Sequence, residues 1–383
     1  MRTHILPILH ALRDLFFFYA PRKIVPEMCQ FAFIVHSRNL RDVYEKYPLF
    51  RKLPNNLVNF LILHFWPVTV SHITGLRRVR DGKLIEGLVI GFPMTARQML
   101  ENRELVKKRV VQSAKLAQKL GAKIIGLGAL SASLSKGGLD VVGHIEAGLT
   151  TGAAYTSHTV SIYVLEVSEL MSMDRSSILI AIVGATGSIG SNTAKLLVEA
   201  GCKKFLLVDT ERKAHMFDEL TQQMEKLGSS EITISHQIKD IKIADIIVTA
   251  TNAPEAVVHS YDLKPGAIII DDAQPSDVAE DVFARDDVLV IEAGVVHTPG
   301  IETHFNLGLK GRNDNFCCLC ETMILAANEQ YGHFIAGKVG RDHTGEMARL
   351  GQEMGFTLAK YQNFKEVISG DKIEKVKAII KER

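Results

Sequence analysis

Ile178-Leu-Ile-Ala-Ile-Val-Gly-Ala-Thr-Gly-Ser-Ile-Gly-Ser191 decides the reading of this chain. Six apolar residues, Ile178 to Val183, predict a buried strand. Gly184, Gly187 and Gly190 follow at G-x-x-G-x-x-G spacing. Asn192 to Ala200 then has helical spacing and stops at Gly201. Strand, glycine turn and helix form a dinucleotide-binding beginning. Positions without side chains let the backbone approach a pyrophosphate, and the helix start offers it free N–H groups. Gly184, Thr186, Gly187, Ser188, Ile189 and Gly190 are the candidate contacts. A glycine turn in another α/β unit is the competing explanation. The context opposes it: a second apolar strand, Phe205 to Val208, ends in Asp209, nineteen residues after Gly190, where a ribose-binding acid belongs.

The 383 residues predict two or three domains with ample core. Apolar content of 46% and charged content of 23% fit a globular protein, and a net charge of +2 supplies no global drive toward nucleic acid. Five cysteines, three of them at 317, 318 and 320, are no disulfide framework and predict a reducing cytoplasm. Leu6 to Ala20 is apolar but interrupted by His10, Arg13 and Asp14, too broken for a secretory signal and too short to span a bilayer. It reads as an amphipathic helix, packed on its own protein or lying on a membrane, with internal packing preferred. Leu57 to Val70 reads as core or as lining of an apolar pocket.

Residues 1–150 predict an α/β domain with a first strand at Phe31 to Val35, a short helix from Leu40 to Tyr47, a hairpin turning at Asp81-Gly82, and one long helix from Thr95 to Leu120. Residues 151–176 carry a connecting helix. Residues 177–300 predict a doubly wound parallel sheet, with strands at 244–250, 267–271 and 288–291 and a last strand ending through Ala293-Gly-Val-Val-His297. Residues 301–383 read as mostly helical, with a charged, solvated helix from Lys365 to Arg383.

Asn313 to Asn328 is the second informative stretch. Asp314 or Asn315 is a good N-cap, which places Cys317 and Cys318 in the first helical turn. A thiolate there is favoured by the helix dipole, which predicts a lowered pKa and a nucleophile at one of the two. Cys320 reads as a small core residue. Three cysteines this close on one helix give poor tetrahedral geometry, so no metal site is expected. Thr251 and Asn252 end a strand at the carboxyl edge of the sheet, which faces the cofactor, and Gly294 permits close approach to a nicotinamide. His297 is a proton donor or, more often for such a residue, a structural hydrogen-bonder. Arg77-Arg-Val-Arg80 with Lys83, and Lys107-Lys-Arg109, read as solvated surface or as a dock for an acidic carrier protein.

With these residues quoted, the chain resembles the long-chain acyl-carrier-protein reductases of the cyanobacterial type. The motifs occur in order: Thr150-Thr-Gly152 with Thr156, Val183 to Ser191, Gly294-Val-Val296, Phe316-Cys-Cys-Leu-Cys-Glu321 with Met323, Gly332-His333 and Met354-Gly-Phe356. They span about residues 30–360. The resemblance implies NAD(P)H-dependent reduction of an acyl thioester to a fatty aldehyde through an acyl-cysteine on Cys318, beside which Cys317 replaces a small residue. It implies a wall for the acyl group at Thr150, Thr151, Gly152 and Thr156, and acyl-carrier protein or acyl-CoA as the substrate. Outside that pattern, Leu6 to Ala20 allows peripheral membrane contact, and a released aldehyde would call for a downstream aldehyde-consuming enzyme. The cofactor that the resemblance implies is NADPH. Asp209-Thr-Glu211 departs from the basic residue of that pattern and favours NADH, while Arg212 and Lys213 suit a 2′-phosphate. NADPH is kept ahead. Two alternatives stay open: a shikimate-dehydrogenase-like carbonyl or alcohol reductase without covalent capture, and a non-catalytic nucleotide-binding interaction protein.

Overall fold

The computed structural model describes residues 2–335 and 340–382. Five strands precede the connecting helix: β1 (Phe31–Ser37), β2 (Val68–Ile73), β3 (Gly87–Thr95), β4 (Ile124–Leu127) and β5 (Gly148–Thr150). Six follow it: β6 (Leu179–Val183), β7 (Lys204–Val208), β8 (Glu231–Ser235), β9 (Ile246–Thr249), β10 (Ile268–Asp271) and β11 (Leu289–Glu292). The last are β12 (Val295–His297), β13 (Asp314–Phe316), β14 (His333–Phe334) and β15 (Thr357–Leu358).

The first sheet runs β14-β5-β4-β1-β3-β2, with only β2 antiparallel to its neighbour. The predicted hairpin is β2–β3, closed past Gly82, whose φ of +69° suits glycine. The second sheet runs β11-β10-β9-β6-β7-β8, parallel throughout. Renumbered within the sheet this is 6-5-4-1-2-3, the dinucleotide-binding order, with its crevice where β6 and β9 diverge. Near-continuous apolar runs such as Ile268-Ile-Ile are what a sheet buried on both faces requires. The fold is therefore mixed α/β with a Rossmann sheet, as expected.

The connecting helix (Ala153–Leu170) leaves β5 and packs on the helix after the glycine turn (Ser188–Glu199) and on the cysteine helix (Cys317–Ala327). The cysteine helix lies on β1 and β4, so it belongs to the first sheet's core although it follows the second sheet in sequence. No helix among the described residues is long and apolar enough to cross a membrane.

Five expectations are corrected. The long helix breaks at Asn102 into Ala96–Glu101 and Arg103–Lys119, because the Asn102 side chain donates to the Gln98 carbonyl and its φ of −127° leaves the helical region. The strand expected to end at His297 stops at Glu292. Gly294, at φ +65°, turns the chain, and β12 pairs instead with β13 and β15. Residues 301–383 are less helical than expected, with Cys317–Ala327, Arg341–Glu353 and Gly370–Lys381 as their helices and the glycine-rich segment before β13 irregular. The terminal helix is not fully solvated, since Val376 is buried. Leu57 to Val70 divides into a helix (Asn55–His64) and β2; Val58 and Ile62 enter the core while Leu57 and Phe60 face outward.

Candidate active site

The glycine turn is held by backbone contacts. Gly184 has φ +82°, and a Cβ there would meet the Ala250 carbonyl oxygen at 2.6 Å; a Cβ on Gly190 would collide with the Gly184 carbonyl. The helix Ser188–Glu199 starts at Gly187 without a side-chain cap, so its first N–H groups remain open. Ser188 is exposed, and Gly187 and Ile189 are half-buried. This build fits a pyrophosphate.

Asp209, at the end of β7, is turned toward the loop. Its Oδ2 accepts from the Thr186 N–H at 3.1 Å and hydroxyl at 2.5 Å, and from Lys213 Nζ at 3.2 Å; its Oδ1 accepts from the Thr210 N–H. Burial works to raise its pKa, but these hydrogen bonds and the Lys213 charge prevail and hold the carboxyl below its ordinary value. Arg212 beside it is exposed and has no ion pair among the described residues. Thr251 is also committed, its N–H and hydroxyl both donating to Asp277, while Asn252 is exposed.

The cysteine helix begins at Cys317 with Phe316 as its N-cap. The expected caps are occupied elsewhere: Asp314 bonds His297 Nδ1 at 3.0 Å and the Asn315 amide donates to the Thr298 hydroxyl, both from strand β13. His297 is thus a structural hydrogen-bonder. The Cys317 N–H donates to the Gly294 carbonyl at 2.8 Å, tying this helix start to the edge of the Rossmann sheet. Cys317 and Cys320 are buried, whereas Cys318 is partly exposed.

Two glycines pack around this start. Gly152, at φ +74°, lies against Cys318 so closely that a Cβ would collide with the Cys318 Cα and Cβ. Gly294 lies against the Asp272 carboxyl in the same way, with Thr156 Cγ2 also in contact range. The Asp272 N–H in turn donates to the Thr249 carbonyl at 2.9 Å. Cys318, Gly152, Thr156, Gly294 and Asp272 therefore form one cluster at the carboxyl edge of the second sheet.

The predicted low thiol pKa is corrected. Burial, then the Asp272 carboxyl, push the Cys318 thiol up to about 12; the N–H groups of Leu319 and Cys318 pull the other way and lose. Asp272 is itself pushed well up, by burial and by Asp271, Asp277 and Glu292. Burial is also the main cause at Asp271, raised to about 6, and at Asp277 and Glu292, each raised to about 7. Sequence reasoning missed this acidic cluster; the Asp271-Asp272 doublet at a strand's carboxyl end, with Asp277 soon after, was the available signal.

The substrate wall is corrected in part. The Thr150 hydroxyl donates to Glu321 Oε1 at 2.5 Å and the Thr156 hydroxyl to the Gly152 carbonyl at 2.7 Å, so neither faces the cleft. The Thr151 N–H donates to the Phe334 carbonyl and its side chain is half-buried. Glu321 was also missed as a site residue. It is fully buried one turn after Cys318, accepts the Tyr155 N–H at 2.8 Å, and has His343 Nε2 3.6 Å away. It clamps the start of the connecting helix to the cysteine helix. The basic clusters are neutralised in part: Arg78 pairs with Asp81 and Glu329, Arg80 with Glu329, and Lys107 with Glu104.

An open glycine turn at the switch point of a 6-5-4-1-2-3 sheet is the arrangement of the dinucleotide-binding class of α/β folds. The family model for shikimate / quinate 5-dehydrogenase matches residues 167–294. The aminotransferase PigE of Serratia sp. is 25% identical over 349 residues, covering 90% of this chain but 38% of its own length. A long-chain acyl-[acyl-carrier-protein] reductase of Synechococcus elongatus is 26% identical over 286 residues, covering 71% of this chain and 79% of its own. This chain thus spans less than two fifths of PigE. Among solved structures, an NAD-dependent malic enzyme of Thermotoga maritima is similar with a TM-score of 0.41 at 12% identity, covering 98% of this chain and 90% of that one.

Proposed function

We propose that the protein reduces a long-chain acyl thioester, carried on acyl-carrier protein or coenzyme A, to the fatty aldehyde by way of an acyl-cysteine on Cys318. One observation carries this reading: a partly exposed thiol at a helix start, held between Gly152 and the Asp272–Gly294 edge of the nucleotide sheet. The 26% identity with the Synechococcus reductase supports it.

The Cys318 sulfur attacks the thioester carbonyl carbon, the bond to the carrier sulfur breaks, and the acyl group passes to Cys318. The thiol's raised pKa means that its proton must be moved during attack. Asp272 relays it, giving its own proton to the departing carrier sulfur and taking the one from Cys318. N–H groups at the helix start stabilise the oxyanion. The glycine turn and the open helix start at Gly187 would hold the pyrophosphate of a reduced nicotinamide dinucleotide, which would supply the hydride. Collapse of the resulting tetrahedral alkoxide breaks the bond between the acyl carbon and the Cys318 sulfur, releases the aldehyde, and leaves a thiolate that takes up one proton from water. The coenzyme we assign is NADPH: Asp209 is committed to Thr186 and Lys213, which leaves the exposed Arg212 to meet a 2′-phosphate.

The test is incubation with acyl-CoA or acyl-carrier protein and each nicotinamide, reading the protein's intact mass and the aldehyde. An acyl adduct on the wild type, lost in Cys318→Ala together with aldehyde, is expected. Aldehyde formation by Cys318→Ala at the wild-type rate overturns the proposal. The match of residues 167–294 favours a second reading, a carbonyl or alcohol dehydrogenase without covalent capture. It predicts nicotinamide turnover with a free ketone or alcohol and no adduct.

A further inference from the structure

The helix Arg2–Tyr19 is mounted with a charge inside and its hydrocarbon outside. Asp14 is fully buried, its Oδ2 accepting the Thr69 N–H of β2 at 2.6 Å. Three further bonds fasten the same side: Trp66 Nε1 donates to the Ala11 carbonyl, and Lys119 Nζ to the Phe18 and Ala20 carbonyls. From residue 6 to residue 20, the exposed positions are Leu6, Leu9, Leu12, Phe16 and Tyr19, each between 50% and 76% exposed. Their spacing of three and four makes one stripe, about 20 Å long at the rise of an α-helix. Phe60 and Leu57 face outward from the helix Asn55–His64, which shares a core with Ala11.

The charges around this stripe are of one effective sign. Arg13 is cancelled by Asp14 and Arg22 by Glu27. Lys23 and Arg109 have no carboxylate partner among the described residues, and Arg109 lies near Tyr19. Long apolar side chains in a line, rimmed by uncompensated cations, have the build of a helix that rests in a lipid headgroup layer.

We infer that the stripe Leu6, Leu9, Leu12, Phe16 and Tyr19, with Phe60 and Leu57, seats the protein on the surface of an anionic membrane. The inference is independent of the reaction proposed above. A second copy of the chain would set the uncompensated cations against their own kind, and a transient acidic carrier protein would meet a face more apolar than such interfaces usually are, so the apolar line with its cations favours anionic lipid.

The experiment is flotation of the full chain with phosphatidylcholine vesicles, with and without phosphatidylglycerol. Wild type is expected to float with the anionic vesicles. The double variant Leu9→Glu, Phe16→Glu is expected to lose binding by about tenfold or more, and Lys23→Glu to lose part of it. Unchanged coenzyme binding shows that the variants fold. Should the double variant not fold, the single variant Phe16→Ser, at an exposed position, gives a second readout by the same flotation and is expected to bind less than the wild type. The inference is overturned by wild type that stays with neither vesicle, by equal binding to both, or by a folded Phe16→Ser variant that floats as the wild type does. It is also overturned if the double variant abolishes a dimer or a carrier complex while the wild type ignores vesicles.

Discussion

The helices Ser188–Glu199 and Cys317–Ala327 both begin at the carboxyl edge of the Rossmann sheet, and they treat negative charge oppositely. The first opens on glycine, without a capping side chain, and its N–H groups face open space. The second opens on thiols, with its first N–H spent on Gly294 and a carboxyl facing it. A helix dipole is worth at most ~2 kcal/mol. The rise of the Cys318 thiol from 9.0 to about 12 corresponds to roughly 4 kcal/mol in the opposite sense. Desolvation and one facing acid therefore outweigh a helix start, so position on a helix does not by itself decide a cysteine's ionisation.

The largest test of this contrast is Cys318→Ala. Aldehyde formation should fall by about 10³-fold or more, while nicotinamide binding, measured by fluorescence titration, stays as it was. Gly190→Val attacks the other helix. Its side chain collides with the Gly184 carbonyl, so coenzyme affinity should fall by about 100-fold while Cys318 alkylation by iodoacetamide is unchanged. Loss of both would mean that the two helix starts are not independent.

Asp272→Asn sharpens the comparison. Removing the negative charge stabilises the thiolate, so the pH midpoint of Cys318 alkylation should move down by about one pH unit. Acylation by a thioester should slow in the same variant, because the proton relay is gone. A merely structural loss would slow both reactions.

The smallest effect is on stability. Asp271, Asp277 and Glu292 have folded-state pKa values raised to about 6, 7 and 7. Between the unfolded carboxylate range and these values the folded protein binds more protons than the unfolded one. Stability from these groups is thus complete below about pH 4 and lost as pH rises through about 7. The melting temperature should rise on acidification within that window, and Asp271→Asn should flatten the dependence. A melting temperature independent of pH there would show that the cluster is solvated.

The Rossmann half was legible because its signals are local. Gly184, Gly187 and Gly190 are close in sequence, and parallel strands buried on both faces read as plain apolar runs. Strand β8 escaped notice because it is an edge strand with three exposed residues of five. The thiol's surroundings were only half legible. Cys318 sits next to its helix start in sequence, but Asp272 and Gly152 reach it from residues 46 and 166 positions away, through two different sheets. The hydroxyls of Thr150 and Thr156 looked available because sequence shows a donor without its acceptor; Glu321 and the Gly152 carbonyl already take them.

The clasp at Glu321 has a consequence for dissecting the molecule. Its carboxylate joins Thr150 and Tyr155, which precede the nucleotide sheet, to a helix that follows it. Cutting the chain near residue 174 would leave the sulfur on one fragment and its floor, Gly152, on the other. Neither fragment expressed alone would hold a finished reaction centre, and mixing them would restore one only where a stranded acid in the second fragment regained its two donors from the first.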